Sequence, residues 1–225
     1  VVWSAAYGYT LEKVAYKPLR GAPRLSPLIS AIGMSIFLQN YVLLAQTSDY
    51  VPFPRLLPEM EFLDYLGNIM GPSDFLILVT STLAMVSLSL FIRYTRMGKA
   101  MRATAQNRKM ALLLGINADR IISLTFIVGS ALAALGGVLI ASHMGQVNFG
   151  IGFLAGLKAF TAAVLGGIGS IPGAMVGGLV LGIAESMTTG YLSGNYEDAL
   201  AFALLILILI FRPDGILGKA KVQKV

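Results

Sequence analysis

Long apolar runs separated by short polar connections set the pattern of this chain. Leu25 to about Gln46, Asp74 to Ile92, Ile121 to Ser142 and Ala199 to Phe211 each read as one helix crossing a bilayer. Phe153 to Gly190 holds apolar length for two more. Val1 to Val14 starts already inside an apolar run, carries Trp3, Tyr7, Tyr9 and nearby Tyr16 as interfacial aromatics, and reads as the remainder of a truncated first span. The pattern predicts an all-α fold, a polytopic transmembrane helical bundle of about six complete spans plus the truncated one, as a single transmembrane domain over residues 1–225.

Polar or small residues interrupt several of these runs. Gln39 and Asn40 fall at mid-span, where they face other helices or a cavity, as interhelical hydrogen bonds or as candidates for a translocation path. Thr47 to Ser73 is an acidic exterior loop with a short interfacial helix expected around Glu59 to Leu66, and GQVNFGIG is an exterior turn. The hydroxyls of the 74–92 span can bond back to its own backbone, and the small-residue run Gly129, Ser130, Ala131, Ala133, Ala134, Gly136 and Gly137 permits close helix contact. Within 153–190, Gly166, Gly167, Gly169, Pro172 and Gly173 mark a helix break. Two versions stay open: two spans joined by a tight inner turn at Gly169 to Gly173, or two broken segments meeting inside the membrane. Gly173-xxx-Gly177 and Gly178-xxx-Gly182 place two small-residue stripes on the second segment.

Composition agrees: 56% of residues are hydrophobic and 12% charged, outside the range of soluble domains. There is no cysteine and hence no disulfide or thiol chemistry. The net charge of +6 could suggest nucleic acid, but its distribution points to a membrane instead. If the spans alternate, all of the 17 Lys and Arg except Arg55 and Lys158 fall in connections on one side. Asp49, Glu59, Glu61, Asp64, Asp74, Glu197 and Asp198 fall on the other, so the basic side is cytoplasmic.

The most basic connection is Arg93 to Arg120, with Asp119 as its single acid. Within it, Met101 to Leu114 reads as one short helix ended by Gly115 as a C-terminal cap. Such a helix could anchor to anionic membrane lipid, but Ala103, Ala105, Ala111 and the uncharged Gln106 and Asn107 dilute the basic face to which Arg102 belongs into the mixed face of a protein-docking surface.

Two charges lie inside spans, Lys158 and Glu185. In the two-span version both sit about five residues from the outer end, roughly 8 Å deep at 1.5 Å per residue. Either they pair, or Lys158 snorkels to the headgroups while Glu185 finds another partner or water. His143, the only histidine, lies at the outer interface without a second ligand at metal spacing, so no metal site is expected. The Gly-Lys pairs at Gly98-Lys99 and Gly218-Lys219 lack the remainder of a phosphate loop, and no hydrolase motif occurs. The chain is thus expected to be no enzyme and to bind no cofactor itself.

Four stretches resemble the permease subunits of branched-chain amino acid ABC importers: YKPLR with LISAIGMSIFLQN, RYTRMGKAMRATAQN with MALLLGIN, KAFTAAVLGGIGSIPGAMVGG, and RPDGILG. The resemblance covers essentially the whole chain. It implies a multi-pass subunit of the bacterial inner membrane that pairs with a homologous permease, receives substrate from a periplasmic binding protein and is driven by two cytoplasmic ATPases, which bind the ATP. It makes 93–120 the coupling loop. Lys109, Met110, Ala111 and Gly115 stand at the positions of the family's EAA-xxx-G-like pattern, without its leading acid and first alanine. The expected activity is import of Leu, Ile or Val by alternating access. The alternatives are a permease for a related amino acid, an amide or urea, or an ion-coupled secondary transporter with Glu185 as its ion site.

Overall fold

Apolar side chains around the whole circumference suit helices that pack in lipid, and helices make up nearly all of the described structure. The computed structural model describes residues 1–21, 26–46, 49–54, 72–212 and 214–218. The expected helix around Glu59 to Leu66, Arg24, Arg55 and the terminal Lys219, Lys221 and Lys224 lie outside the described residues. Two units are distinguished, Val1–Ile151 and Gly152–Val225.

In the first unit, α1 (Val2–Leu11) runs on through a π-helical turn, Glu12–Tyr16, into a 3-10 turn, Pro18–Gly21. The run read over Val1 to Val14 is therefore helical from Val2 onward, and the helix continues to Tyr16. The wide turn is closed by the Lys17 N–H donating to the Glu12 carbonyl at 2.8 Å. Next come α2 (Ser26–Ala45), the two-residue strand β1 (Val51–Pro52), α3 (Pro72–Tyr94), α4 (Arg96–Gln106), α5 (Arg108–Leu113), α6 (Ala118–Met144) and β2 (Gln146–Val147). β1 and β2 pair antiparallel, Val51 opposite Val147, a small addition to the all-α plan. The pairing is set up by Gly145, whose positive φ of 69° ends α6 and turns the chain.

α1 lies antiparallel along α6. At Gly8 a Cβ would collide with the Ser130 side chain, so the approach requires glycine. Ser4 Oγ donates to the Ser130 carbonyl at 3.2 Å, and the Tyr16 and Phe126 rings lie 4.9 Å apart. Of the small-residue run on α6, Ser130 makes this contact, whereas a Cβ on Gly129, Gly136 or Gly137 would meet no other element within 4 Å among the described residues. The α3 hydroxyls of Ser81 and Ser87 bond back to the carbonyls of Leu78 and Ala84.

The second unit holds α7 (Ile151–Gly166), α8 (Ile171–Tyr191), a 3-10 turn (Gly194–Tyr196) and α9 (Glu197–Phe211). Phe153 to Gly190 thus forms two helices joined by a turn at 167–170, two residues earlier than Gly169 to Gly173. Ser170 is the reason: its hydroxyl accepts the Gly173 N–H at 3.1 Å and starts α8. Pro172 and Gly173 then fall within the first helical turn, where a missing N–H costs nothing. Gly173 and Gly177 lie against α7, and a Cβ on either would strike the carbonyl of Gly166 or Ala162. Ala162, Leu181 and Ala201 form the buried core, with Leu204 against it.

Four stretches are long and apolar enough to cross a membrane among the described residues: Asp74–Tyr94, Ala118–Met144, Ile171–Tyr191 and Gly194–Phe211. Ile29–Ala45 and Ile151–Gly166 are shorter apolar helices.

Candidate functional site

The basic connection is two helices rather than one. α3 ends at a sharp corner on Thr95, whose Oγ1 donates to the Phe91 carbonyl at 2.6 Å and accepts the Gly98 N–H at 3.0 Å as the cap of α4. Gly98 is buried there, and a Cβ on it would overlap the backbone of Ile92. Arg102 Nη2 reaches back to the Arg93 carbonyl at 3.3 Å, placing a cation at the negative end of α3.

The helix expected over Met101 to Leu114 instead begins at Arg96 and breaks at Asn107, whose φ of −154° and ψ of 103° are extended. The Asn107 amide oxygen accepts the Met110 N–H at 3.1 Å and so starts α5. Asn competes for backbone bonds in this way, and here the cap prevails over continuation of good helix formers. α5 closes in a Schellman motif: Gly115, φ 77°, donates to the Leu112 carbonyl and Ile116 to that of Ala111, both at 3.0 Å. Gly115 is the C-terminal cap expected from its position.

Arg102, Gln106, Asn107, Lys109, Met110 and Gly115 are exposed, while Ala111 is only 1% exposed. The exposed face also includes Leu112, Leu113 and Leu114, which sequence reasoning passed over as ordinary helix formers. Arg108 Nη2 lies 2.9 Å from Asp119 Oδ1, tying α5 to the first turn of α6, where Asn117 caps the helix by accepting the Arg120 N–H. Thr95 and Gly98 were also passed over. The Thr-xx-Gly spacing at the end of an apolar run is the signal that marks them.

In the second unit Lys158 on α7 stands among three carboxylates. Its Nζ is 3.3 Å from Glu185 Oε1 on α8, 3.3 Å from Asp198 Oδ1 and in close contact with Glu197 Oε1, both at the start of α9. Lys158 and Glu185 are therefore together, and Glu197 and Asp198 join them. These two also sit at the positive end of the α9 dipole, a favourable place for carboxylates.

Gly166 is the last residue of α7, and Gly167 (φ 110°) and Gly169 (φ 93°) take the turn in conformations that favour glycine. The RPDGILG segment closes over it: the amides of Ile216 and Leu217 donate to the carbonyls of Leu165 and Gly166 at 2.9 and 3.0 Å. In the first unit, Gln39 is partly exposed, and Asn40 is exposed with its Nδ2 bonded to the Ile36 carbonyl of its own helix at 2.8 Å. His143 Nδ1 lies 3.2 Å from Asp74 Oδ1, and no group of three or more metal-ligand side chains occurs among the described residues.

Comparison with known proteins gives this geometry its context. The family described as the permease component of the branched-chain amino acid transport system matches residues 1–209. The chain belongs to that permease family. LivH of Escherichia coli K12, a high-affinity branched-chain amino acid transport system permease protein, is 54% identical over 228 residues, covering 100% of this chain and 74% of LivH. BraD of Pseudomonas aeruginosa, named as the same kind of permease, matches at 54% with the same coverage. A probable LivH of Methanocaldococcus jannaschii is 31% identical over 143 residues, 60% of this chain and 45% of that protein. No solved structure matches the chain at a significant level. The permease is a multi-pass helical membrane protein, in keeping with the four described helices long and apolar enough to cross a membrane.

Proposed function

We propose that the chain is the membrane-spanning permease subunit of an ATP-driven importer for branched-chain amino acids, Leu, Ile and Val, in the bacterial inner membrane. The observation that carries this is the 54% identity to LivH and BraD over the whole of this chain. All of residues 1–225 would serve one transmembrane domain. It would work beside a homologous permease, with a periplasmic binding protein supplying substrate and two cytoplasmic ATPases supplying energy.

In this reading 93–120 is the coupling loop. Exposed Arg102, Gln106, Asn107, Lys109 and Met110 meet the ATPase, while buried Ala111 and the Gly115 turn hold α5 against α6. The stiff elements around it support that role. The Thr95–Gly98 corner fixes how α4 leaves α3, and the Arg108–Asp119 pair fixes α5 to α6. A push on the loop therefore reaches two spans at once, as alternating access requires. Gln39 and Asn40 are the polar positions offered to the passage, and Lys158 with Glu185, Glu197 and Asp198 is a charge cluster that fastens three helices.

Purification of the tagged chain with its natural partners tests this. An ATPase should co-purify and be lost on charge reversal at Arg102 and Arg108. Proteoliposomes of the complex should take up labelled leucine only with ATP and binding protein present. Uptake that follows an ion gradient and ignores ATP would overturn the proposal.

A further inference from the structure

Glu12 is 0% exposed, an uncommon position for a carboxylate, because burying its charge is costly unless something holds it. It sits at the first residue of the π-helical turn that extends α1, an arrangement with poorer backbone geometry than a plain helix and one that recurs at working sites. Ser123 on α6 donates its hydroxyl to Glu12 Oε2 at 2.7 Å. Ser123 Oγ also lies 3.1 Å from the Asp119 carbonyl one turn earlier, but a hydroxyl has one proton and the carboxylate is the stronger acceptor. Asp119 in turn takes Arg108 of α5 at 2.9 Å. A continuous series of contacts thus runs from α5, through the first two turns of α6, to the end of α1.

We infer that Glu12 is a positioning residue that makes α1 follow α6 when the coupling loop moves. The inference rests on the coupling role proposed above for 93–120. α5 is fastened to the first turn of α6 by Arg108–Asp119, with Ala111 and Ala118 buried at either end of the connection. One turn on, Glu12–Ser123 fastens α1 to α6, and the close crossing at Gly8 and Ser130 keeps the two helices together farther along. With both fastenings, α5, α6 and α1 shift as one body. Without Glu12 or Ser123, α6 turns against α1 near the loop and part of the ATPase stroke is lost.

The readout is ATP hydrolysed per leucine imported, in proteoliposomes of the assembled complex with its partner subunits and binding protein. Stability alone does not move this ratio, because it is counted only over complexes that assemble. Ser123→Ala and Glu12→Ala should each raise it about tenfold. Glu12→Gln, which keeps an acceptor for Ser123, should stay within about threefold of wild type. The double variant Glu12→Ala/Ser123→Ala should be no worse than the worse single, because both remove the Glu12–Ser123 bond. Should Glu12→Ala fail to assemble, Ser123→Ala and Glu12→Gln decide the matter. A Ser123→Ala complex with the wild-type ratio overturns the inference, as does a double variant whose effect multiplies the singles. A coupled wild type with a normal Ser123→Ala sinks this inference alone. A wild type that imports leucine without ATP sinks the proposed function and this inference with it.

Discussion

Gly215 stands directly against Gly167: both have positive φ, and a Cβ on Gly215 would run into the Gly167 backbone. A Cβ on Gly167 would in turn fall 2.5 Å from the Gly218 nitrogen. The C-terminal segment is thereby seated on the α7–α8 turn through a contact that admits only glycine.

The first prediction follows from comparing Gly167 with Gly169. Both need a backbone conformation unfavourable to other residues, but among the described residues nothing beyond its chain neighbours lies within 4 Å of a Cβ on Gly169. Gly169→Ala should therefore cost about 1 kcal/mol of backbone strain. Gly167→Ala adds a collision worth about 1–3 kcal/mol. Thermal unfolding of the purified permease should rank Gly167→Ala well below Gly169→Ala, and equal midpoints would contradict the seating of the segment.

The Asn107 cap sets the angle between α4 and α5. Asn107→Ala should cost about 1 kcal/mol and weaken the break. Hydrogen exchange should show faster exchange at the Met110 amide, and less ATPase should co-purify. Asn107→Ser or Asn107→Asp, which keep a capping oxygen, should restore both.

Lys158 serves three carboxylates, while Glu185 has only that one cation nearby among the described ion pairs. Removing the lysine leaves several negative charges facing one another. Removing one acid leaves the cation with two partners. Glu185→Gln should lower leucine uptake several-fold, Lys158→Met should lower it further, and the double variant should recover part of the loss. Wild-type uptake and yield for Glu185→Gln would take this residue out of the transport account.

The two glycine stripes on α8 should behave differently. Gly177 is against the Ala162 carbonyl, whereas a Cβ on Gly182 meets no other element within 4 Å among the described residues, and Gly182 lines an open hollow with Gly178 and Ser186. Gly177→Ala should destabilise the purified chain by about 1–3 kcal/mol, and Gly182→Ala should leave its melting unchanged. Should Gly182→Ala reduce recovery of the assembled complex alone, the hollow is where another subunit's helix lies.

What could be read in advance is what repeats along the chain. Apolar run length and charge sidedness gave the order of spans, and Lys158 and Glu185 were recognisable because a charge inside such a run needs a reason. Glu12 was not, because its neighbours Lys13, Lys17 and Arg20 make a solvated loop of that stretch and nothing local signals a π-turn. Asn107 was legible for its place on the docking face but not as a helix break, because one capping side chain outweighs the summed propensity of a good helical window. Glu197 and Asp198 as partners of Lys158, and Gly215 as partner of Gly167, depend on how α9 and the segment after it return across α7 and α8. That is tertiary geometry, which no spacing along the chain encodes.

The bonds from Ile216 and Leu217 to the Leu165 and Gly166 carbonyls also bear on the order of assembly. During synthesis α7 and α8 are both made before these amides exist. The end of α7 thus keeps bare carbonyls until the residues that follow α9 are made. Synthesis of that short segment is itself the step that closes this corner, so a nascent chain stalled inside α9 would be left with an unfinished hairpin.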